Sequence, residues 1–416
     1  MRRGNRRILT THGGNLPRPS DLDKLIAEGD REAIDARLPS AVSEVVDRQL
    51  ACGLDTVNDG EYVKAANMAG YSGYIHARVT GWETLPIDPD LPPKREYVAA
   101  RDKADFPGMY ASGLWLSGSG GPVRPGFATP GAAPKPPAKG RVCTSAITYI
   151  GQDAIARDIA ALKKAVADRE AGREAGREAG REAAGQEADG FIAALGPLSL
   201  GAGARNAHYP SEEEYMFAVA EALREEYKAI TDAGLILQID EPEFATTWQF
   251  HPTWTVEDLR RYLESAVEII NHSIHGLPAE QIRMHTCWGS GHRPHTQDIG
   301  LEHIADLLIK VNAQGYAIES GNVRHAHEWR VWEDVKLPEG KILIPGVVSH
   351  ATDLVEHPEL IAERLTNFAG VVGKENLQAG TDCGIGSRVG HEEIVWAKLA
   401  ALAEGARLAG SRLWAG

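Results

Sequence analysis

The amino-acid sequence predicts an α/β fold, a single (β/α)8 TIM barrel carrying one long Gly/Pro-rich loop insertion. Three observations lead there. Short apolar runs alternate with long helical patterns along most of the 416 residues, the rhythm of a parallel sheet. The residues able to do chemistry, among them His285, Cys287, Glu319 and Cys383, each come directly after such a run. Parallel strands closed into a barrel deliver their ends to one face, where residues distant in sequence meet.

Composition bounds the function. Hydrophobic content of 43% and charged content of 25% are those of a soluble globular protein. A formal charge of −14, with no basic stripe to offset it, argues against nucleic acid and anionic membranes as partners. Cys52, Cys143, Cys287 and Cys383 lie too far apart for a disulfide framework and fit a reducing compartment. Arg2, Arg3, Arg6 and Arg7 open the chain without an apolar stretch of signal-peptide length behind them. No run reaches the length of a membrane span. The expected location is cytoplasmic; a homo-oligomer is left open.

Residues 8–12 read as a first strand, closed by the turn Gly13-Gly14-Asn15-Leu16-Pro17. Residues 21–53 are helical in pattern, with Leu22, Leu25, Ile26, Val42, Val45, Val46 and Leu50 on apolar faces. Residues 55–61 form a second strand entering a loop with three carboxylates, either a solvated turn or a functional one. Residues 107–139, rich in Gly and Pro, are a long irregular loop, a lid-like insertion or a disordered one. Residues 142–149 then read as a buried strand. Residues 169–185 are a low-complexity repeat of Arg-Glu-Ala-Gly; glycine costs about 1 kcal/mol against alanine in a helix interior, so this is a weak helix and a solvated expansion. Further strands fall at 191–195, 235–239, 282–284, 316–319 and 341–348 and before Cys383, with long helices at 212–233 and 358–372. That makes nine strand candidates for eight places, so one is peripheral or misread.

Two thiols, an imidazole and a carboxylate are a plausible four-ligand set for zinc, a borderline-soft ion. Free cysteines are more often small buried apolar residues than ligands, so spacing alone leaves both readings open. Gln238-Ile239-Asp240-Glu241-Pro242-Glu243 puts carboxylates just past a buried strand, and the proline ends that strand. Carboxylates held there suit a substrate ammonium or a proton transfer, or they cap a loop.

Taken together, Thr10 to Pro19, Asn58-Asp59-Gly60-Glu61, Gln238 to Pro242, His285-Thr286-Cys287-Trp288, Glu319 and Asp382-Cys383-Gly384 resemble the cobalamin-independent methionine synthase superfamily. They fall in the order of its C-terminal catalytic barrel and span nearly the whole chain. Details around Asn58, Cys287-Trp288-Gly289 and the stretch from Glu319 to Trp329 are most similar to single-barrel epoxyalkane:coenzyme M transferases. The resemblance implies zinc ligands at His285, Cys287, Glu319 and Cys383. It implies that Asp240 and Glu61 hold the amino group of a thiol such as homocysteine, and that Gly14 and Asn15 belong to the turn gripping its carboxylate. The partners implied are a small-molecule thiol and an alkyl donor.

Two cysteinates and a glutamate on a dication make an electron-rich site. Such a site keeps a bound sulfur nucleophilic, whereas a hydrolase wants neutral ligands that acidify water. Zinc-dependent alkyl transfer of methyl type to a thiolate is therefore the expected function. The alternatives are an epoxide-opening thiol transferase or a metal-free enzyme like uroporphyrinogen decarboxylase. The family's usual serine in the first turn is here Asn15. Its Asp-x-His is here Ser349-His350-Ala351, and a counterpart of the N-terminal half of full-length methionine synthases is not expected. Methyltetrahydrofolate is accordingly not the expected donor. Arg18, Arg324 and Arg388 are candidate partners for a sulfonate; Arg324, His325 and His327 either bind an anion or form a structural polar cluster.

Overall fold

The computed structural model describes residues 1–65, 73–87, 99–112, 139–178, 188–289, 293–386 and 389–415. In chain order the strands are β1 (Leu9–Thr10), β2 (Thr56–Val57), β3 (Val79–Pro86), β4 (Lys139–Tyr149), β5 (Asp189–Leu195) and β6 (Arg205–Asn206). They continue as β7 (Ile236–Asp240), β8 (Ile282–Thr286), β9 (Gly315–Ile318), β10 (Ile342–Val348) and β11 (Gln378–Thr381). Eight make one parallel sheet in the order β1-β11-β10-β9-β8-β7-β5-β2.

The seam between β1 and β2 is bridged mainly by Asp55. The Asp55 N–H donates to the Thr10 carbonyl at 3.0 Å. The Asp55 carboxylate accepts from the Thr10 N–H at 2.8 Å and from Arg7 at 2.7 Å. The result is the (β/α)8 barrel expected from the alternating pattern.

The ninth strand candidate, residues 142–149, lies outside the barrel. It is part of β4, which pairs antiparallel with β3 and parallel with β6 in a separate three-stranded sheet. Most positions of β4 are exposed or half-buried, whereas β7, β8, β9 and β10 are buried throughout, as strands covered on both faces must be. This side sheet is tied to the barrel by buried charge. Arg78 pairs with Asp158 and with Glu226, and the Tyr149 hydroxyl donates to Glu226 at 2.6 Å.

The helical stretch 21–53 divides into Ser20–Glu28 and Arg31–Ala51. Gly29 ends the first at a φ of 72°, and the Asp30 carboxylate caps the second by accepting from the Ala33 N–H. Helices Glu212–Asp232 and Pro358–Val372 stand where the periodicity puts them. The helix Gln152–Glu178 runs on into the repeat at 169–185. Its first half packs Ile155, Leu162 and Ala165 into the core, and adding residues to an established helix costs far less than starting one. Residues 179–187 lie outside the described residues.

So does most of the insertion at 107–139: Pro107–Ser112 is a short helix and Lys139 opens β4, with 113–138 outside the described residues. The segment leading into it is anchored beside the strand exits. Arg101 donates to the carbonyls of Trp248, His251 and Trp254. Buried Asp102 accepts from Arg293 at 2.7 Å and from the Gln297 N–H at 3.1 Å. Among the described residues no helix is long and apolar enough to cross a membrane.

Arg283, on β8 and fully buried, braces the barrel interior. Its guanidinium lies over the Phe191 ring at 3.8 Å. It donates to Gln238 Oε1 and Thr11 Oγ1, both at 2.8 Å, and to the His12 carbonyl at 3.0 Å. Since each buried acceptor left bare costs about 1–3 kcal/mol, Arg283→Met is expected to destabilise the fold by at least about 3 kcal/mol in urea unfolding. A loss below about 1 kcal/mol would show that the barrel does not lean on this side chain.

Candidate metal centre

Three of the four expected ligands converge. His285 is on β8, in register with Asp240 of β7 and Ala317 of β9; Cys287 follows two residues on, and Cys383 leaves β11. The ligand atoms of His285, Cys287 and Cys383 all lie within 4.8 Å of one another. His285 is 2% exposed, yet neither of its ring nitrogens has a hydrogen-bond partner among the described residues. A buried imidazole normally satisfies at least one nitrogen. One nitrogen and two sulfur donors around that bare ring fit a borderline-soft divalent cation.

Protons are unevenly shared in this trio. The Cys287 thiol donating to it, with His285 alongside, holds the Cys383 thiol well below its usual range despite burial. The Cys383 thiolate, and then burial, push Cys287 well above that range. Burial pulls His285 down, but the Cys383 thiolate with Asp240 and Glu319 outweighs it and lifts the imidazole to about 9.

Glu319 stands in an adjacent group. Its ligand oxygen lies within 4.8 Å of the ligand atoms of His350 and Asp382. Its two oxygens accept from the Trp288 N–H and from Asn322 Nδ2, both at 2.9 Å. The carboxylate is thus tied to the backbone directly after Cys287. Burial, then Asp382, push it well above the carboxylate range. Asp382 is raised by burial to about 6, against the N–H groups of Gly321 and Ser320 that donate to it.

The first turn is pressed against the last. A Cβ on Gly13 would stand 2.7–2.9 Å from the backbone of Cys383. The Gly13 N–H donates to Thr381 Oγ1, which itself donates to the Cys383 carbonyl, each at 2.8 Å. Asn15 spans the same gap, its Oδ1 accepting from the Gly386 N–H at 3.1 Å. Gly14 lies against the other expected substrate contact, since a Cβ there would come 2.6 Å from Glu61 Oε1.

Glu61 sits at a φ of 59°, its N–H held by Asp59 Oδ1 at 2.9 Å. Burial, with Asp240 and Asp59 nearby, raises it to about 8 although Lys64 pulls the other way. Lys64 Nζ stands 3.4 Å from Glu61 Oε2 and 4.0 Å from Asp240 Oδ2. Asp240 Oδ1 accepts from Gln238 Nε2 at 2.6 Å, and Gln238 is the side chain held by Arg283. Neither Lys64 nor Arg283 stood out in the sequence. The signal for Lys64 was a lysine three residues after Glu61, a spacing that usually marks a solvated pair.

The remaining candidates are engaged elsewhere. His325 stacks on Trp288 at 4.0 Å and bridges Glu328 at 2.9 Å and Asp298 at 3.3 Å, as a member of a structural polar cluster would. Arg324 donates to the Thr296 carbonyl, and Arg18 pairs with Asp23. Arg388 lies outside the described residues.

Residues 196–407 match the family model of the catalytic domain of cobalamin-independent synthase. The methionine synthase of Thermococcus kodakarensis is 25% identical over 208 residues, 49% of this chain and 54% of that one. The methionine synthase of Saccharolobus solfataricus is 25% identical over 220 residues, 52% and 57% of the two chains. The chain thus spans about half the length of the curated relatives it matches. The solved structure of a B12-independent methionine synthase from Shewanella sp. W3-18-1, in complex with selenomethionine, superposes with a TM-score of 0.64. It covers 99% of this chain and 100% of that one at 20% identity, a likeness of fold.

Gly13→Ala tests the packing behind the trio. The added methyl group is expected to displace Cys383 from His285 and Cys287 and to weaken binding of an added divalent cation about 10- to 100-fold in chelator competition, the range typical of supporting residues. Unchanged affinity in a folded variant would show that Gly13 does not set the position of Cys383.

Proposed function

The chain belongs to the cobalamin-independent synthase family through the catalytic domain it shares with methionine synthases, and from that premise we propose that it transfers an alkyl group of methyl type to the thiolate of a small thiol. The observation that carries this reading is His285, buried with both ring nitrogens bare and flanked by two thiols where barrel strands end. In this reading His285, Cys287 and Cys383 hold zinc, with Glu319 as the fourth ligand or the group that yields its place to substrate. Zinc, when bound, lowers the pKa of a thiol and leaves its sulfur nucleophilic.

The chain's own residues do the rest. Buried Asp240 and Glu61 border the trio and orient the far end of the thiol. Arg283, through Gln238, fixes the rotamer of Asp240. The Trp288 N–H and Asn322 steady Glu319 beside the loop that follows Cys287. Burial of His285, Cys287, Glu319, Asp240 and Glu61 keeps competing water from the reacting sulfur. The alkyl donor is a second small molecule. The family's folate-associated histidine is absent here or displaced by one residue to His350, whose Nδ1 is 3.8 Å from Glu319 Oε1.

Metal analysis of purified protein decides the first half. About one zinc per chain is expected in the wild type and much less in a folded Cys383→Ser variant. The zinc-loaded protein should then alkylate at least one member of a thiol panel with simple alkyl donors. Zinc missing from both proteins after reconstitution would overturn the reading and favour a metal-free, decarboxylase-like barrel; zinc without any thiol turnover would leave a binding protein.

A further inference from the structure

The acidic pair that would receive a substrate ammonium already holds a cation of the chain itself. Lys64 Nζ is placed between Glu61 Oε2 and Asp240 Oδ2, at 3.4 and 4.0 Å. The side chain is only 8% exposed and its ammonium stands 5.2 Å from the centroid of the Tyr74 ring. It sits on the short helix Tyr62–Ala65, three residues after the strained turn at Glu61. Asp240 is opposed on its other side as well, because its Oδ1 receives Gln238 Nε2 and Gln238 is gripped by the buried Arg283.

From this arrangement we infer that the thiol substrate carries no ammonium group, Lys64 occupying the place where one would bind. The inference rests on the thiol-binding reading above and names the substrate class within it: thiols with a neutral or anionic end. An amino thiol would bring a second ammonium against Lys64 in a buried pocket. Like charges placed so close at low dielectric oppose binding, and the two carboxylates are already shared. The strongest expression of the effect is a reversal. A nearby ammonium stabilises a thiolate, so a bare zinc centre should prefer the amino thiol of a matched pair; Lys64 makes this protein prefer the other.

Calorimetric titration of the zinc-loaded full chain tests it with two matched pairs. One is homocysteine against desamino-homocysteine, the same chain with hydrogen in place of the ammonium. The other is cysteamine against mercaptoethanol. The thiol without the ammonium is expected to bind at least about tenfold tighter in each pair, the scale of a single like-charge contact. Equal or tighter binding of the amino thiols would overturn this inference while leaving the parent reading intact. No binding by any of the four would overturn both. In Lys64→Gln the ratio should fall towards one, and in Lys64→Arg it should persist. An unchanged ratio in a folded Lys64→Gln variant would overturn the role given to Lys64, and should that variant not fold, the wild-type ratios decide alone.

Discussion

A single buried guanidinium underlies both the barrel and its site. Arg283 enters from β8 and reaches across the interior to Thr11 and His12 at the end of β1, on the far side of the sheet order. Such a charge persists in a barrel interior only when its donors are matched and a counter-charge is near. Gln238 relays it to Asp240 and also donates to the Gly13 carbonyl at 2.8 Å. One network therefore holds the first turn, the floor of the site and the acid at the end of β7. Because its members are mutually satisfied in a low-dielectric interior, displacing one unsettles the others.

Charge gathers here in three groups. Glu61, Asp240 and Lys64, two acids and a cation, share one buried space. His285, Cys287 and Cys383 form the second group, and Glu319, His350 and Asp382 the third. So much acid out of water would be unfavourable without compensation. The protein supplies it with backbone N–H groups at Glu319 and Asp382, with lysine at Glu61, and with a proton shared unequally by two thiols. Neither ring nitrogen of His285 has a hydrogen-bond partner with hydrogen-bond geometry within the described residues, which makes it the sharpest sign of a cation.

Much of this was legible in the sequence because strand ends in a parallel barrel carry function, and their apolar runs are long enough to read. β7, β8, β9 and β10 are buried at every position and announced themselves. β1 and β2 are two residues each, held less by a ladder than by the Asp55 side chain, so no pattern marks their extent. Residues 142–149 read as a buried strand because Val142, Cys143 and Ile147 are apolar, although they pack in a largely half-exposed side sheet. Lys64 was hidden for a different reason: spacing shows that a lysine can reach Glu61 but not that both are buried. Glu319 stood out in the sequence only as a candidate, and its hydrogen bonds to Trp288 and Asn322 depend on loops whose conformation no periodicity encodes.

The contact between Gly13 and Cys383 has a consequence for how the protein matures. Cys383 follows the last strand, and it reaches His285 and Cys287 only after β11 has paired with both β10 and β1. A chain emerging during synthesis holds the imidazole and one thiol long before the third donor exists. Full-strength metal capture therefore waits for the ring of strands to be completed, and an ion bound there reports that the first and last barrel strands have met.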